Sequence, residues 1–212
     1  MTFHSEIAES LLRTDRIPEP IFQEILQNRL NHLQEQIRQL ADGTVVYTNT
    51  EAWRAVYAQL LHSPTIHHYR SIARVRDIGY WCHVPGANSW STNYQLNRSG
   101  KLQIERIFIL SNSVLADSRS AEPGRFWSIL QSHEESGIDC YVVEELSLPV
   151  DSDLMCDIGI YGSHVCGEEV IDSKKGTTNF YLYFDLKKVT EFEERWKLLK
   201  AYSVRLSDFT IP

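Results

Sequence analysis

The chain has 212 residues, with 28 acids against 21 bases and a formal net charge of −7. Apolar residues make up 42% and charged residues 23%, the proportions of a domain that buries its own core without staples. No apolar run approaches the about 20 residues of a membrane helix, and residues 1–16 mix Glu and Arg with apolar residues, unlike a secretory leader. A cytoplasmic location is therefore expected, with Cys82, Cys140, Cys156 and Cys166 as reduced thiols, since none stands in a C-x-x-C pair.

The chain opens with helical patterns. Ile7, Leu11 and Leu12 predict a short helix over 4–16, which Pro18 and Pro20 end. A longer helix is expected from Pro20 to Ala41. Its apolar positions, Phe22, Leu26, Leu30, Leu33, Ile37 and Leu40, step at near-heptad spacing. Residues 1–43 are read as a helical extension and 20–41 as the seam of a homodimer. Residues 44–212 are read as one α/β domain.

After Gly43 the texture changes. Residues 44–47 suggest a strand and 51–61 a helix capped by Thr50, with Trp53, Val56, Tyr57 and Leu60 on one face. In 66–76, Tyr69, Ser71, Ala73 and Val75 alternate with Arg70, Ile72, Arg74 and Arg76, the pattern of a strand with an arginine-rich face. Residues 79–86 read as a turn or strand, 88–98 as a short helix, and 103–110 as the strongest strand of the chain. Pro123 opens a helix to about Ser136, and a strand follows over 138–143. Residues 154–161 and 164–171 form a hairpin about Gly162-Ser163, and 180–186 another strand. An amphipathic helix over 187–202 closes the chain with Val189, Phe192, Trp196, Leu199 and Tyr202. The fold class is α/β: a mixed sheet sandwiched by helices, with an N-terminal helical extension.

The run from Arg106 carries a resemblance. A strand ending Arg-Ile-Phe-Ile-Leu leads to a helix with Leu130 and His133. Ser-Gly-Ile-Asp-Cys-Tyr-Val-Val, Asp157-Ile-Gly-Ile-Tyr-Gly and Phe-Tyr-Leu-Tyr-Phe follow, then a helix with Phe192 and Trp196. Over about residues 44–205 this order resembles a divergent, non-catalytic module of the phospholipase D-like fold. The resemblance implies phosphodiester chemistry only where a His nucleophile precedes a Lys by two positions and an Asp lies five further on. No His here has that Lys. His68-Tyr69-Arg70 comes nearest, but Val75 stands where the acid belongs. Phosphate or anion binding is what such a module retains.

Charge points to a binding surface. Residues 52–106 hold seven bases against Asp77 and Glu105, together with Trp53, Trp81 and Trp90, inside an otherwise acidic chain. Arginines beside aromatics grip phosphate or carboxylate and supply stacking area. The expected ligand surface is Arg70, Arg74, Arg76, Trp81, His83 and Arg106. The bland reading is that these arginines pair with the acidic second half.

Other chemistries are weaker. His164-x-Cys166 with Cys156 gives too few zinc ligands, so no metal or other cofactor is expected. Asp157 with Glu168 or Glu169, and Lys174 or Lys175, fits no nuclease spacing. Net charge −7 and the lack of a recognition helix argue against DNA. The composite expectation is a non-catalytic regulatory or sensory module binding a partner protein or an anionic, phosphate-containing ligand. The rival is a hydrolase or nuclease built around Asp157, His133 and Glu144.

Overall fold

The computed structural model describes residues 2–14, 16–76, 78–79, 84–116, 121–150, 153–172 and 177–210. The chain divides into two compact units, Met1–Asp42 and Gly43–Pro212. The first holds α1 (Phe3–Thr14) and α2 (Pro20–Ala41). Pro20 begins α2 where its missing N–H costs nothing. The Gln23 side-chain amide donates to the Ile17 carbonyl at 2.6 Å and ties down the turn between the helices. No residue of α2 is buried, and Leu33, Ile37 and Leu40 are each at least half exposed.

The second unit is built on β1 (Thr44–Tyr47), α3 (Thr50–Leu61), β2 (His68–Val75), α4 (Val84–Arg98), β3 (Gln103–Leu110), α5 (Asn112–Ala116), α6 (Ala121–Glu135) and β4 (Asp139–Glu144). There follow β5 (Ile158–Tyr161), β6 (Val165–Asp172), β7 (Thr177–Tyr183), α7 (Leu186–Tyr202) and the short β8 (Val204–Arg205). The described strands form one eight-stranded sheet in the order β1-β7-β6-β5-β2-β3-β4-β8. β2–β3 and β3–β4 are parallel and the other pairs antiparallel. Parallel neighbours need crossover connections, and the segments carrying α4 and α6 provide them. The sheet is mixed and flanked by helices, as the alternation of patterns predicts.

Two apolar layers cover the sheet. On one face Tyr69, Ile104, Phe108, Leu110 and Val142 pack with Leu61 of α3, Trp90 and Leu96 of α4, and Phe126, Trp127 and Leu130 of α6. On the other, Ile72, Ile107, Ile109, Val143, Ile158 and Ile160 pack with Val189, Phe192, Trp196 and Leu199 of α7. β3 is buried on both faces, which is why its sequence is a continuous apolar run without alternation.

Local chemistry moves several boundaries. Asn49, rather than Thr50, caps α3: its Oδ1 accepts the Ala52 N–H at 2.7 Å. α4 starts at Val84, four residues before the expected helix, with Pro85 in its first turn, where proline is tolerated. β7 stops at Tyr183 because Asp185 caps α7, accepting the Lys187 N–H at 3.0 Å. β8 pairs with β4 over two residues and carries no pattern legible in sequence.

Two glycines shape the sheet. Gly159 of β5 and Gly167 of β6 face each other across the hairpin. A Cβ on Gly159 would stand 2.9 Å from the Tyr161 phenol oxygen. A Cβ on Gly167 would stand 2.9 Å from the Tyr181 carbonyl oxygen and 3.3 Å from the Trp53 ring. Bare backbone here lets aromatic rings lie close on the sheet. Gly167→Ala is expected to cost about 1–3 kcal/mol, because the contact is with backbone and cannot swing away; urea denaturation measures it.

Glu105 of β3 accepts from His68 at 3.0 Å and from Lys200 of α7. These hydrogen bonds, His68 first, outweigh burial and hold its carboxyl down at about 2. A depressed carboxyl stabilises the fold above its unfolded value, and that contribution is lost as pH falls through the folded value. The wild type should therefore lose stability between pH 4.5 and about 2 more steeply than Glu105→Gln, in thermal melts across that range.

Candidate functional site

A cavity of about 480 Å³ opens on the α3–α4 side of the sheet, where Ser71, Gly159 and Gly167 lie in one row across β2, β5 and β6. Three small residues in register leave room that larger neighbours would fill. Aromatic pairs wall the space. Tyr69 and Tyr161 stack with centroids 4.9 Å apart, and Trp53 stacks on Phe180 at 5.2 Å. Tyr57 of α3 stands edge-on to both tyrosines. A volume of this size suits a small molecule.

Arg106 of β3 reaches the inner end of this cavity and is only 5% exposed. Its Nη2 donates to the Tyr57 hydroxyl at 3.5 Å, and its guanidinium carbon lies 5.8 Å from the Tyr69 ring centre. The Tyr57 hydroxyl in turn donates to Asn93 Oδ1 at 3.1 Å. Arg106 Nε is buried with no hydrogen-bond partner, as are Ser71 Oγ, on the cavity floor, and Asn93 Nδ2 behind it. Among the described residues no carboxylate pairs with Arg106. Burial depresses its basicity, but Tyr57, Tyr69, Cys140 and Tyr94 together outweigh that and raise it, so the guanidinium stays charged.

The outer end is differently charged. Asp157, just before β5, accepts the Arg74 backbone N–H at 2.7 Å through Oδ1. Its Oδ2 lies 4.0 Å from Arg76 Nη2. Burial raises the Asp157 carboxyl against these stabilising contacts. Glu169 of β6 also lines the cavity and sits beside Asp157, its N–H donating to the Asp157 carbonyl at 3.0 Å. Desolvation and then the Asp157 charge raise Glu169 as well, against the opposing pull of Arg76.

The residues expected from sequence to form the ligand surface fall in three places. Arg70 lies on the α7 face, paired with Glu193, and Arg74 pairs with Glu145. Arg76 is 47% exposed at the cavity rim, and Arg106 is enclosed at the inner end on the opposite sheet face from Arg70. Trp81 and His83 lie outside the described residues. A period of two along β2 sends Arg70 and Ser71 to opposite faces, so an arginine-rich strand does not make one basic surface. Tyr57, Tyr69, Ser71 and Tyr161 were not among the expected site residues. The signal that could have found the cavity was glycine inside two paired strand patterns, Gly159 and Gly167.

The residues of the rival hydrolytic site stand apart. His133 of α6 is fully buried among Trp90, Tyr94 and Phe108. Desolvation, and then Arg106, bring it down to about 3, so it is neutral. Glu144 is exposed at the end of β4. No hydrogen bond or ion pair joins any two of Asp157, His133 and Glu144. Glu168 points to the α7 face, where it accepts the Tyr183 hydroxyl at 2.6 Å. Lys174 and Lys175 lie outside the described residues. Among the described residues no group of three or more His, Cys, Asp or Glu is placed to hold a metal ion. Cys140, Cys156 and Cys166 are free thiols, each raised by burial to about 12, and Cys82 lies outside the described residues. No helix among the described residues is long and apolar enough to cross a membrane.

No protein-family model matches the chain, and no curated protein matches it in sequence. Solved structures do match in shape. NucT from Helicobacter pylori aligns with 76% of this chain and 98% of its own at 8% identity, with a TM-score of 0.53. Nuc from Salmonella typhimurium, a phospholipase D family member, aligns with 76% of this chain and 96% of its own at 11% identity, with a TM-score of 0.51. TrmBL2, an archaeal chromatin protein with a novel mode of DNA binding, aligns with 96% of this chain and 71% of its own at 9% identity and a TM-score of 0.46. At identities this low the likeness to NucT and Nuc is one of fold: the chain has a phospholipase D-like α/β architecture, without the His-x-Lys pair that the resemblance ties to phosphodiester cleavage.

Proposed function

We propose that the protein is a non-catalytic binding module, of regulatory or sensory use, that takes an anionic small molecule, phosphate- or carboxylate-bearing, into the cavity above Ser71, Gly159 and Gly167. One observation carries this reading: Arg106 is almost completely buried, faces the cavity, and has neither a carboxylate nor a partner for Nε among the described residues. Taking a guanidinium out of water costs several kcal/mol unless an anion or full hydrogen bonding compensates. Tyr57 and the Tyr69 ring supply part of that compensation, and a ligand anion supplies the rest. The Ser71 hydroxyl adds a donor on the floor, and the aromatic walls add apolar contact area. Arg76 at the rim belongs to the same surface. Arg70 and Arg74 have carboxylate partners of their own and contribute to the fold.

The second unit's role is paired with self-association through the first. The seam Phe22, Leu26, Leu30, Leu33, Ile37 and Leu40 keeps a near-heptad period, and no residue of α2 is buried in the single chain. A helix 22 residues long gains its stability from an apolar partner surface, and an identical seam at the same period supplies one. The occupant proposed is a second copy of this chain.

The anion reading is tested by calorimetric titration with inorganic phosphate, pyrophosphate and short carboxylates. At least one should bind, and Arg106→Gln should weaken it about 10- to 100-fold, the worth of a charged hydrogen bond. Absence of binding by all of them, or an unchanged affinity in a folded Arg106→Gln protein, overturns it. For self-association, light scattering should give a dimer for the wild type and a monomer for Leu33→Glu with Ile37→Glu, two exposed positions whose change leaves the core intact. A monomeric wild type refutes the seam.

A further inference from the structure

The cavity has opposite charges at its two ends, and this narrows the ligand. At the inner end stands Arg106, enclosed and without a carboxylate among the described residues. At the outer end stand Asp157 and Glu169, neighbours across β5 and β6. Like charges side by side on a sheet repel, and a cation shared between them relieves that repulsion.

The arginines of the rim do not meet that need. Arg54 is paired with Glu51 at 2.8 Å, and Arg74 with Glu145. Arg76 approaches Asp157 at 4.0 Å, is 47% exposed, and its charge acts on Asp157 and Glu169 both; Arg74 acts on Asp157 as well, but its guanidinium is held by Glu145. The Glu169 side chain has no hydrogen bond or ion pair to any described residue. Glu168 next to it is occupied by Tyr183 on the other face and does not compete. Two carboxylates at the outer end thus share one half-exposed arginine, while one guanidinium at the inner end has no carboxylate among the described residues.

Register sets the spacing between the ends. Arg106 pairs with Ser71, Ser71 pairs with Gly159, and Asp157 precedes Gly159 by two residues. Two strand spacings across and two residues along place the Cα atoms of Arg106 and Asp157 roughly 12 Å apart. Glu169 is one strand further. The Arg106 guanidinium leans toward Tyr69 and Tyr57, away along β2 from Asp157, which lies beyond Ile158 at the Ala73–Arg74 end, so an α-amino acid, whose two charges share one carbon, is too short to touch both ends.

We propose that the ligand is an extended zwitterion: an acid whose anionic group sits on Arg106 and whose amine, several atoms away, sits between Asp157 and Glu169. The chain between the charges runs along the aromatic walls formed by Tyr69, Tyr161 and Trp53. This assignment rests on the anion reading of the same cavity and adds its second half.

The test compares octanoate with 8-aminooctanoate, which share an eight-carbon chain and differ in the terminal ammonium, by calorimetric titration of the full chain. The wild type should bind 8-aminooctanoate about fivefold more tightly than octanoate, the worth of a partly exposed ion pair. In Asp157→Asn with Glu169→Gln that preference should vanish while octanoate binding persists. Glu169→Gln alone, at an exposed side chain without a hydrogen bond or ion pair to any described residue, should lose most of the preference and guards against misfolding of the double variant. Octanoate bound as tightly as 8-aminooctanoate by the wild type, or a preference unchanged in the variants, overturns the zwitterion assignment and leaves the anion reading standing. If neither compound binds and Arg106→Gln alters nothing for phosphate or pyrophosphate, both readings fall.

Discussion

Strand β2 is the constraint from which the site follows. It pairs in parallel with β3 on one side and antiparallel with β5 on the other, so it joins the two halves of the sheet in a single register. Its side chains alternate between two layers with opposite demands. Toward α7 it sends Arg70 and Ile72, and Arg70 finds Glu193 there. Toward α3 and α4 it sends Tyr69, Ser71 and Ala73, and the small Ser71 lies level with Arg106 on one side and Gly159 on the other. A slip of one residue would bury Arg70 under α4 and expose Tyr69 to α7, so the register is strongly specified.

Around that register the polar groups divide by how they are satisfied. Arg70, Arg74 and Glu105 are half-enclosed and each has an opposite charge in contact, which makes them ordinary parts of the fold. Arg106 is different. It is more deeply buried than any of them, and its neighbours are phenols, a thiol and a neutral histidine. Such an arrangement is poor for stability alone, and its already desolvated donors are the ground of the anion reading proposed for the cavity. The glycines at 159 and 167 keep the floor of the cavity free of side chains and let Tyr161 and Trp53 approach the backbone.

Much of the fold was legible in sequence. The apolar run of β3, the helical periods of α2 and α7, and the hairpin about Gly162 each carried their own signal, and each element stands within a few residues of its expectation. Boundaries moved where a single side chain decided them, as with Asn49 at the start of α3 and Asp185 at the start of α7. The lining of the proposed cavity was less legible. The segment 52–106, rich in arginine and aromatic residues, contains Arg106, yet it groups with it Arg70, which lies on the opposite face of the sheet. Charge counting sums over a segment, whereas a strand distributes its side chains to two sides.

The net charge of −7 belongs to the same lesson. The sequence by itself determined that a basic, aromatic-rich segment sits inside an acidic chain, that strands and helices alternate after Gly43, and that no His-x-Lys pair is present. Those properties are local, readable from composition, period and neighbours. Which arginines meet acids was decided only by tertiary structure: Glu193 and Glu145 reach Arg70 and Arg74 from 123 and 71 residues away. The same folding carries no carboxylate among the described residues to Arg106, and it brings Asp157 and Glu169 together at the far end of the cavity. Such pairings depend on strand order and register, which set distances between residues remote in sequence, and no local pattern encodes them.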